Sequence, residues 1–354
     1  MKQRTKMESM RTYRLKQILE IFGSTAERDG ILRAEKDGSL PKASRQAGSI
    51  PTRVWSAEQL PLFGERYGFL SKVRRPVVLT VFTSKGGVLK TTIALNIARM
   101  AALHNIRTLV IGLDLQCDIT SALGFYRWDE VEDLQGVIRE LERTRGLYSM
   151  VHDNVSARDL VQKTEIPTLD LIPETAELAT LDRWVSTQPK REYWLREKVI
   201  GTLRDRYDLI VLDCSPNWSQ LISNAIVACD VLVRPIECHI NQFRNLNVFR
   251  ELAREFKQAM NLEYQHVFVP TRYVSSRKLS GEIRSWYLAN VEDVTFAVVR
   301  ESVQGEEAMA MRLSIPEYAP TSPGAAEIRA LVGEIWSRMG KSADLREQGR
   351  HDGP

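Results

Sequence analysis

Residues 77–92, VVLTVFTSKGGVLKTT, constrain the fold more than any other stretch of this sequence. The stretch begins as an apolar run typical of a buried parallel strand, turns through Gly86 and Gly87, and continues with Lys90 and Thr91 where a helix is expected to begin. Glycines let backbone N–H groups converge on a phosphate, and a helix N-terminus adds the positive end of its dipole. The pattern predicts a nucleotide phosphate loop; the simpler alternative is a glycine turn that only joins a strand to a helix.

The predicted phosphate loop differs in two places from the common pattern G-x-x-x-x-G-K-[ST]. Lys85 stands where that pattern requires no lysine, and Leu89 replaces the glycine before Lys90. Lys90 is expected to bring a positive charge to the phosphates, and the Thr91 hydroxyl is a candidate ligand of Mg²⁺. The candidate nucleotide-binding residues are Ser84, Lys85, Gly86, Gly87, Val88, Leu89, Lys90, Thr91 and Thr92.

Two aspartates follow predicted strands farther along the chain. Asp114 comes directly after the apolar residues 107–113, and Asp213 ends residues 207–213, about 120 residues after the loop. Asp213 is the candidate for holding Mg²⁺ through a bound water, together with Thr91. Asp114 is the candidate for orienting water near a phosphate, although an aspartate in this place can also simply cap a helix.

Predicted strands and helices alternate from residue 77 to residue 339. Further strands are expected near residues 168–172, 230–235, 265–269 and 294–299, and helices near residues 90–104, 129–150, 174–181 and 191–205. This alternation is typical of an α/β fold with a mostly parallel, doubly wound sheet. Because ligands bind beyond the carboxyl ends of such strands, the phosphate loop, Asp114 and Asp213 are expected to meet there.

Together these motifs resemble those of the ParA/MinD family of dimerising ATPases over residues 77–339. Lys85-Gly86-Gly87-x-x-Lys90-Thr91-Thr92 is similar to the deviant Walker A box of that family, residues 114–120 resemble its switch I, residues 213–216 its switch II, and residues 319–325 the segment that opens its last helix. Asp114 and Gln116 match the switch I pattern. The departures from the family pattern are Leu89 for glycine, Gly112 for aspartate, Leu115 for proline, Asp118 for asparagine and Ser215 for proline.

The resemblance implies an enzyme that uses ATP and Mg²⁺ and hydrolyses ATP to ADP and phosphate. It implies that Lys85, Lys90 and Asp114 are catalytic, that Thr91 and Asp213 hold Mg²⁺, and that Lys85 reaches across a homodimer to the phosphates of the other subunit. It also implies DNA binding without sequence preference by the ATP dimer, and a ParB-like centromere-binding partner.

Positive charge is concentrated at the front of the chain. Residues 1–75 contain 16 Lys and Arg against 8 Asp and Glu, a balance of +8, whereas the whole chain carries +4. This excess favours a polyanion such as nucleic acid as partner. Helices predicted at residues 10–22 and 26–36, followed by a Ser-, Gly-, Pro- and Arg-rich stretch at 39–53, resemble the winged helix-turn-helix of large plasmid-type ParA proteins. Lys42, Arg45 and Arg53 are its candidate phosphate contacts; the alternative is a small helical dimerisation domain with solvated charges.

These patterns divide the chain into residues 1–75, a helical winged-helix-like domain; residues 76–340, the ATPase domain; and residues 341–354, a polar tail. A second set of basic residues in the ATPase domain is a candidate strip for DNA. Each of them could equally be a solvated surface charge. The set comprises Arg272, Arg277, Lys278, Arg284, Arg300 and Arg312.

The sequence leaves four functions open. The first is a DNA-partitioning ATPase that also represses its own operon, and the second an ATPase that positions a protein cargo over the nucleoid. The third is a membrane-recruited regulator, which the polar residues 340–354 disfavour. The fourth is a repressor that senses ATP with little turnover. The absence of a long apolar run and of paired cysteines favours a cytoplasmic, nucleoid-associated protein with reduced thiols and no membrane partner.

Overall fold

The computed structural model of this chain describes residues 11–46, 51–125 and 134–351. The N-terminal unit consists of short strands and helices: β1 (Thr12–Arg14), α1 (Leu15–Phe22), α2 (Arg28–Lys36), β2 (Ser44–Gln46), β3 (Thr52–Ser56) and α3 (Leu60–Tyr67). The strands form an antiparallel sheet in the order β1-β3-β2. Gly23 ends α1 in the left-handed conformation with φ 61°, which a glycine adopts without strain.

One part of the N-terminal prediction differs from this structure. The helix expected over residues 10–22 is preceded by β1, because Tyr13 lies opposite Trp55 of β3 and both side chains are buried there. The stretch 39–53, predicted as a turn or wing, contains β2 and the start of β3, and these two strands pair antiparallel. Residue 10 and residues 47–50, between β2 and β3, lie outside the described residues.

Seven strands form the main sheet. They are β4 (Val77–Val81), β5 (Thr108–Leu113), β6 (Gln162–Lys163), β7 (Leu169–Ile172), β8 (Leu209–Cys214), β9 (Val231–Glu237) and β10 (Gln265–Thr271). The order across the sheet is β10-β9-β4-β8-β5-β7-β6, and among these strands the short β6 is antiparallel to its neighbour while the others run parallel. Every residue of β4, β5, β7, β8 and β9 is buried, which explains their continuous apolar runs. The predicted mostly parallel α/β fold is confirmed.

Two hydrophobic clusters lie on opposite faces of this sheet. Alternate residues of β4 separate into them: Leu79 and Val81 belong to one cluster, and Val78 belongs to the other. The helices that complete the fold are α4 (Lys90–Leu103), α5 (Asp118–Ala122), α6 (Leu134–Arg143), α7 (Ser149–His152), α8 (Leu178–Ser186), α9 (Gly201–Leu203), α10 (Gln220–Ala228), α11 (Ile240–Ala259), α12 (Lys278–Asn290), α13 (Val303–Ala310), α14 (Ile315–Tyr318) and α15 (Pro323–His351). In the described residues, no helix is long and apolar enough to span a membrane.

The strand predicted near residues 294–299 is wrong. That segment pairs with β10 at two isolated bridges, Phe268 to Val294 and Thr271 to Val299. Between them the N–H groups of Phe296 and Ala297 donate to the carboxylate of Glu334, each at 3.1 Å. A side chain of α15 therefore interrupts the pairing, although Thr295 N and Val299 N still donate to β10.

Several predicted helices have other bounds in the structure. Residues 191–205 are helical but pass through short 3₁₀, π and α turns, and the helix expected at 174 begins at Leu178. The helix expected over 129–150 is represented by α6 and α7, with residues 126–133 outside the described residues. Ser322 caps α15 by accepting from Ala325 N at 3.1 Å, and α15 continues to His351, inside the segment predicted as a tail.

The N-terminal unit packs directly on α4 and α15. A side chain at Gly64 of α3 would overlap the carbonyl oxygen of Leu103, so α3 and α4 approach at backbone distance. The indole N–H of Trp336 donates to Ser71 O at 2.8 Å, and Phe69 N donates to His104 Nε2 at 3.0 Å. One continuous hydrophobic cluster contains residues from α1, α3, α4 and α15.

Candidate nucleotide site

The phosphate loop leaves the centre of the sheet. β4 lies between β8 and β9, so the loop emerges at the carboxyl edge with a strand on either side. Gly87 has φ 69° and Leu89 has φ 66°, both in the left-handed region. Glycine suits that region, whereas the Cβ of a leucine crowds its own backbone there. The departure at Leu89 thus preserves the backbone shape that a glycine would take, at some cost in strain.

Lys90 is held inside the loop. Its ammonium group is buried and donates to Lys85 O at 2.8 Å. Burial lowers the pKa of Lys90, while the carboxylates of Asp213 and Asp114 act in the opposite direction. The loop therefore keeps one cation close to two acidic groups at the base of the site.

Asp213 lies fully buried near the end of β8. In the strand register it stands between Val81 of β4 and Gly112 of β5. Burial raises its pKa to about 7, and the nearby Thr91 hydroxyl acts against this rise. Among the described residues, no group lies at standard hydrogen-bond geometry from either carboxylate oxygen. A buried carboxylate with two unsatisfied oxygens beside a threonine hydroxyl fits a hard cation such as Mg²⁺.

Asp114 directly follows β5 and is half-buried. Its carboxylate accepts from Gln116 N at 3.1 Å, and its own N–H donates to Glu174 Oε1 at 3.1 Å. Both side chains, Asp114 and Gln116, line a cavity of about 710 Å³. This volume is sufficient for a nucleotide. The other lining residues are Gly86, Gly87, Val88, Leu89, Lys90, Thr91, Thr92, Leu113, Leu115, Asp118, Leu178, Ala179, Asp182, Ser215, Pro216, Asn217, Ser219, Leu221, Arg272, Glu301 and Met309.

Lys85 points to another part of the sheet edge. Ser84 and Lys85 are not among the residues that line the cavity, within the part of the chain that is described. The Lys85 ammonium group instead forms an ion pair with Glu237, which ends β9 and is buried. Glu237 also accepts from Arg272 Nη1 at 3.1 Å. The two lysines of the loop therefore face different surroundings.

Comparison with known proteins agrees with this arrangement. Residues 77–265, more than half of the chain, match the family model AAA_31, described as an AAA domain. The chain belongs to this family. The chromosome partitioning protein ParA of Caulobacter vibrioides is 28% identical over 265 residues, which cover 74% of this chain and 94% of that protein. The cell division protein PomZ of Myxococcus xanthus is 25% identical over 339 residues, covering 95% of this chain and 96% of PomZ.

A solved structure shares the fold. Cobyrinic acid a,c-diamide synthase from Mycobacterium smegmatis, with a bound ATP analog and magnesium, superposes with a TM-score of 0.59 at 22% identity, covering 76% of this chain and 97% of the synthase. Likeness at this level shows the fold alone. The family match and the relatives, taken with the phosphate loop, make this chain a ParA-type ATPase.

The basic residues predicted as a DNA strip occupy unlike positions in this ParA-type ATPase. Arg272 lines the nucleotide cavity and is held there by Glu237 and by a bidentate pair with Glu301 at 2.7 and 3.0 Å. Its engagement at the cavity does not favour a role in a DNA strip. Arg300 pairs with Glu327 at 2.6 Å.

The remaining candidates of the strip lie mostly around α12. Arg277 and Lys278 are exposed at the start of the helix, and Lys278 is 3.6 Å from Glu282. Arg284 donates to Phe296 O at 2.9 Å, whereas Arg312 has a left-handed backbone with φ 61°. Arg277, Lys278 and Arg300 are the exposed members of the strip, and Arg300 is engaged by Glu327.

The N-terminal candidates do lie together. Lys42, Arg45 and Arg53 line a shallow groove on β2 and β3, and Arg45 stands directly opposite Arg53 in the strand register. Arg53 also forms an ion pair with Glu35 of α2 and lies 5.7 Å from the centre of the Trp55 ring. This surface has the basic side chains that a phosphate backbone requires.

Three acidic residues of the site were missed by sequence reasoning. Glu174 lies after β7, Glu237 ends β9, and Glu301 lies between α12 and α13. None of the three belongs to a motif of the nucleotide site in the sequence. The folded sheet places Glu174 beside Asp114, and places Glu237 and Glu301 beside Arg272. The substitution at Gly112 was the one available signal, since it indicated that a carboxylate of the usual pattern had been lost.

Proposed function

We propose that this ParA-type ATPase segregates DNA, acting as an ATP-dependent homodimer that binds DNA without sequence preference and hydrolyses ATP with a ParB-like partner. The observation that carries the proposal is the different surroundings of the two loop lysines. Lys90 lies within the cavity, whereas Lys85 reaches outside it to Glu237. A second lysine that its own cavity does not use supports a role for Lys85 at the phosphates of a partner subunit.

The residues of the cavity fit Mg²⁺ and ATP. Thr91 and Asp213 would hold the metal ion, which neutralises negative charge on the phosphate oxygens when bound. Lys90 would supply a positive charge, and the backbone N–H groups of Gly86 to Thr92, which line the cavity, would donate to the phosphates. Asp114 would orient the attacking water, because it lines the cavity and its backbone is anchored by Glu174.

DNA binding would use two surfaces. The groove around Lys42, Arg45 and Arg53 would contact DNA phosphates, and through them an operator, while Arg277 and Lys278 would contribute to binding without sequence preference. Such binding would associate the protein with the nucleoid in the cytoplasm. Affinity for an arbitrary DNA duplex is expected to fall steeply as the salt concentration rises. Binding through Arg277 and Lys278 is expected to require ATP, whereas binding through the N-terminal groove is not.

The test of the proposal measures hydrolysis and assembly separately. The wild type is expected to hydrolyse ATP only with Mg²⁺, and to form a dimer with ATP in light scattering. Lys85→Ala should still bind ATP without dimerising, and Asp114→Ala should dimerise without turnover. Lys198→Ala, an exposed lysine remote from the loop in sequence, is the matched control. ATP-dependent dimers of Lys85→Ala would refute the assigned role of Lys85.

A second candidate function is the positioning of a protein cargo. One observation favours it: PomZ, a cell division protein, matches over 95% of this chain, whereas ParA of Caulobacter vibrioides matches over 74%. Deletion of the gene decides between the two functions. Loss of a replicon at cell division supports DNA partition, while normal DNA inheritance with a misplaced protein assembly supports positioning.

A further inference from the structure

The side chain of Glu174 occupies the space where a side chain at position 112 would lie. Glu174 lies in the loop between β7 and α8, and it is fully buried. A Cβ atom placed on Gly112 of β5 would overlap Cγ and Cδ of Glu174 and lie 2.6 Å from its Oε1. Any side chain at position 112 therefore excludes Glu174 from its place. Gly112 of β5 therefore leaves room for the Glu174 side chain, which comes from the end of the neighbouring strand β7.

The Glu174 carboxylate stands where a side chain from position 112 would point. Gly112 is the register partner of Asp213, and side chains at paired positions of parallel strands project from the same face of the sheet. The sequence pattern of the family has an aspartate at position 112, and this chain has none there. Glu174 thus brings a carboxyl group to the neighbourhood of Asp213 from the loop that follows β7.

The contacts of Glu174 connect it to the segment that carries Asp114. Its Oε1 accepts from Asp114 N at 3.1 Å, and its Oε2 accepts from Thr120 N at 3.3 Å and from Thr120 Oγ1 at 3.0 Å. Glu174 N in turn donates to Thr120 Oγ1 at 2.9 Å. One buried side chain therefore holds the backbone at Asp114 and the first turn of α5, and Gln116 lies between these two points.

We propose that Glu174 is a positioning residue for ATP hydrolysis, which replaces the carboxylate missing at Gly112 and holds Asp114 in the geometry that orients water. The inference rests on the proposed role of Asp114 in hydrolysis. It assigns Glu174 no contact with the nucleotide, because Glu174 does not line the cavity within the described residues. Its effect should therefore fall on turnover and leave the binding of ATP nearly unchanged.

Glu174→Gln tests the acceptor role at constant size. The amide can accept on one side only, so either Asp114 N or Thr120 N loses its partner. We expect kcat to fall on the order of 10- to 100-fold while the Kd for ATP stays within about threefold, since a small displacement of Asp114 impairs the orientation of water and leaves the phosphate loop intact. Glu177→Gln, an exposed glutamate in the same loop, is the matched control and should keep wild-type turnover.

A rescue experiment separates positioning from simple support of the fold. Glu174→Ala should lose turnover, and adding Gly112→Asp to it should recover part of that loss, because the aspartate returns a carboxylate to the vacated space. Gly112→Asp alone should have a lower Tm than the double variant, since it meets Glu174. If Glu174→Ala does not fold, the turnover of Glu174→Gln tests the inference. If neither of these single variants folds, the turnover of the double variant is compared with that of the wild type.

Wild-type kcat in folded Glu174→Gln would overturn the inference, and so would a double variant no more active than Glu174→Ala. An unfolded or inactive double variant beside an unfolded Glu174→Gln would equally count against it. Absence of hydrolysis in the wild type would instead refute the proposed function, so the two failures are distinguishable. Tm values and ATP binding of every variant accompany the kinetic measurements.

Discussion

Leu89 carries backbone strain at a position where the common loop has glycine. Its φ of 66° costs a leucine on the order of 1–2 kcal/mol, and its side chain partly offsets this by packing against the core. We expect Leu89→Gly to be more stable than Leu89→Ala by about 1 kcal/mol, because both lose the side chain and only glycine relieves the strain. Urea unfolding of the two variants measures the difference, and an alanine variant of equal or greater stability would contradict it.

Asp213 combines burial with unsatisfied oxygens, and its pKa is raised to about 7. A carboxyl whose pKa is higher in the folded than in the unfolded protein destabilises the fold increasingly as pH rises from about 4 to 7. At pH 8 without Mg²⁺, Asp213→Asn should therefore raise the free energy of unfolding by about 1–3 kcal/mol, after the cost of burying the amide. Denaturant titration at pH 8 and pH 4.5 checks this.

The same Asp213→Asn variant should lose the stabilisation that Mg²⁺ and ATP bring to the wild type. The gain at pH 8 should vanish at pH 4.5, where the carboxyl is protonated in the wild-type fold. A variant less stable than the wild type at both pH values would show that Asp213 supports the apo fold rather than a bound cation.

At the scale of elements, residues at the carboxyl ends of β9 and β10 determine where the Lys85 ammonium group lies. The ion pair with Glu237 holds Lys85 within its own chain, where Arg272 shares the same carboxylate. Glu237→Gln should release Lys85 and lower the protein concentration for ATP-dependent dimerisation by about three- to tenfold. Sedimentation velocity with a non-hydrolysable ATP analogue measures the shift.

Glu301→Gln is the control for that prediction, because Glu301 pairs with Arg272 without contacting Lys85 among the described contacts. It should leave the dimerisation midpoint near that of the wild type. Equal shifts in both variants would attribute the effect to Arg272, and no shift in Glu237→Gln would show that its ion pair does not compete with the dimer.

At the scale of the whole molecule, His104 lies at the junction of the N-terminal unit and the ATPase domain. Its ring meets Phe22 and Phe69 edge to face, Nδ1 donates to Met100 O at 2.6 Å, and Nε2 accepts from Phe69 N at 3.0 Å. Burial lowers its pKa to about 4. The bond from Phe69 N requires an unprotonated Nε2, so protonation of the ring breaks it and opposes this packing.

The lowered pKa of His104 predicts acid sensitivity. Between pH 6.5 and pH 4 the unfolded chain binds a proton that the folded chain rejects, so stability falls as pH falls through that window. Between pH 7.5 and pH 5 we expect this histidine to contribute a loss of about 2 kcal/mol. His104→Gln should have a flatter stability profile, whereas His152→Gln, which removes an exposed histidine, should follow the wild type.

Intrinsic fluorescence of the seven tryptophans can follow the unfolding of these variants in guanidinium. If the His104→Gln profile kept the full slope of the wild type between pH 7.5 and pH 5, other groups would account for the acid sensitivity. The His152→Gln profile gives the slope expected from an unrelated histidine.

Much of the ATPase domain could be predicted because its signals are local. Continuous apolar runs indicated β4, β5, β7, β8, β9 and β10, and the glycine turn before Lys90 indicated the phosphate loop. The segment at 294–299 failed for a non-local reason: a glutamate of α15 takes two of its N–H groups. Strand periodicity reports which residues can pair, but not which competing acceptor lies beside them.

The sequence by itself determined the fold class, the phosphate loop and the two aspartates at its base, because each depends on neighbouring residues and on the rule that parallel strands end at one edge. Only the tertiary structure decided which acidic side chains complete the site. Glu174 fills the space that Gly112 leaves open, and Glu237 holds Lys85, across separations of 62 and 152 residues. Such pairs form through sheet order and burial, and local sequence does not encode either of these directly.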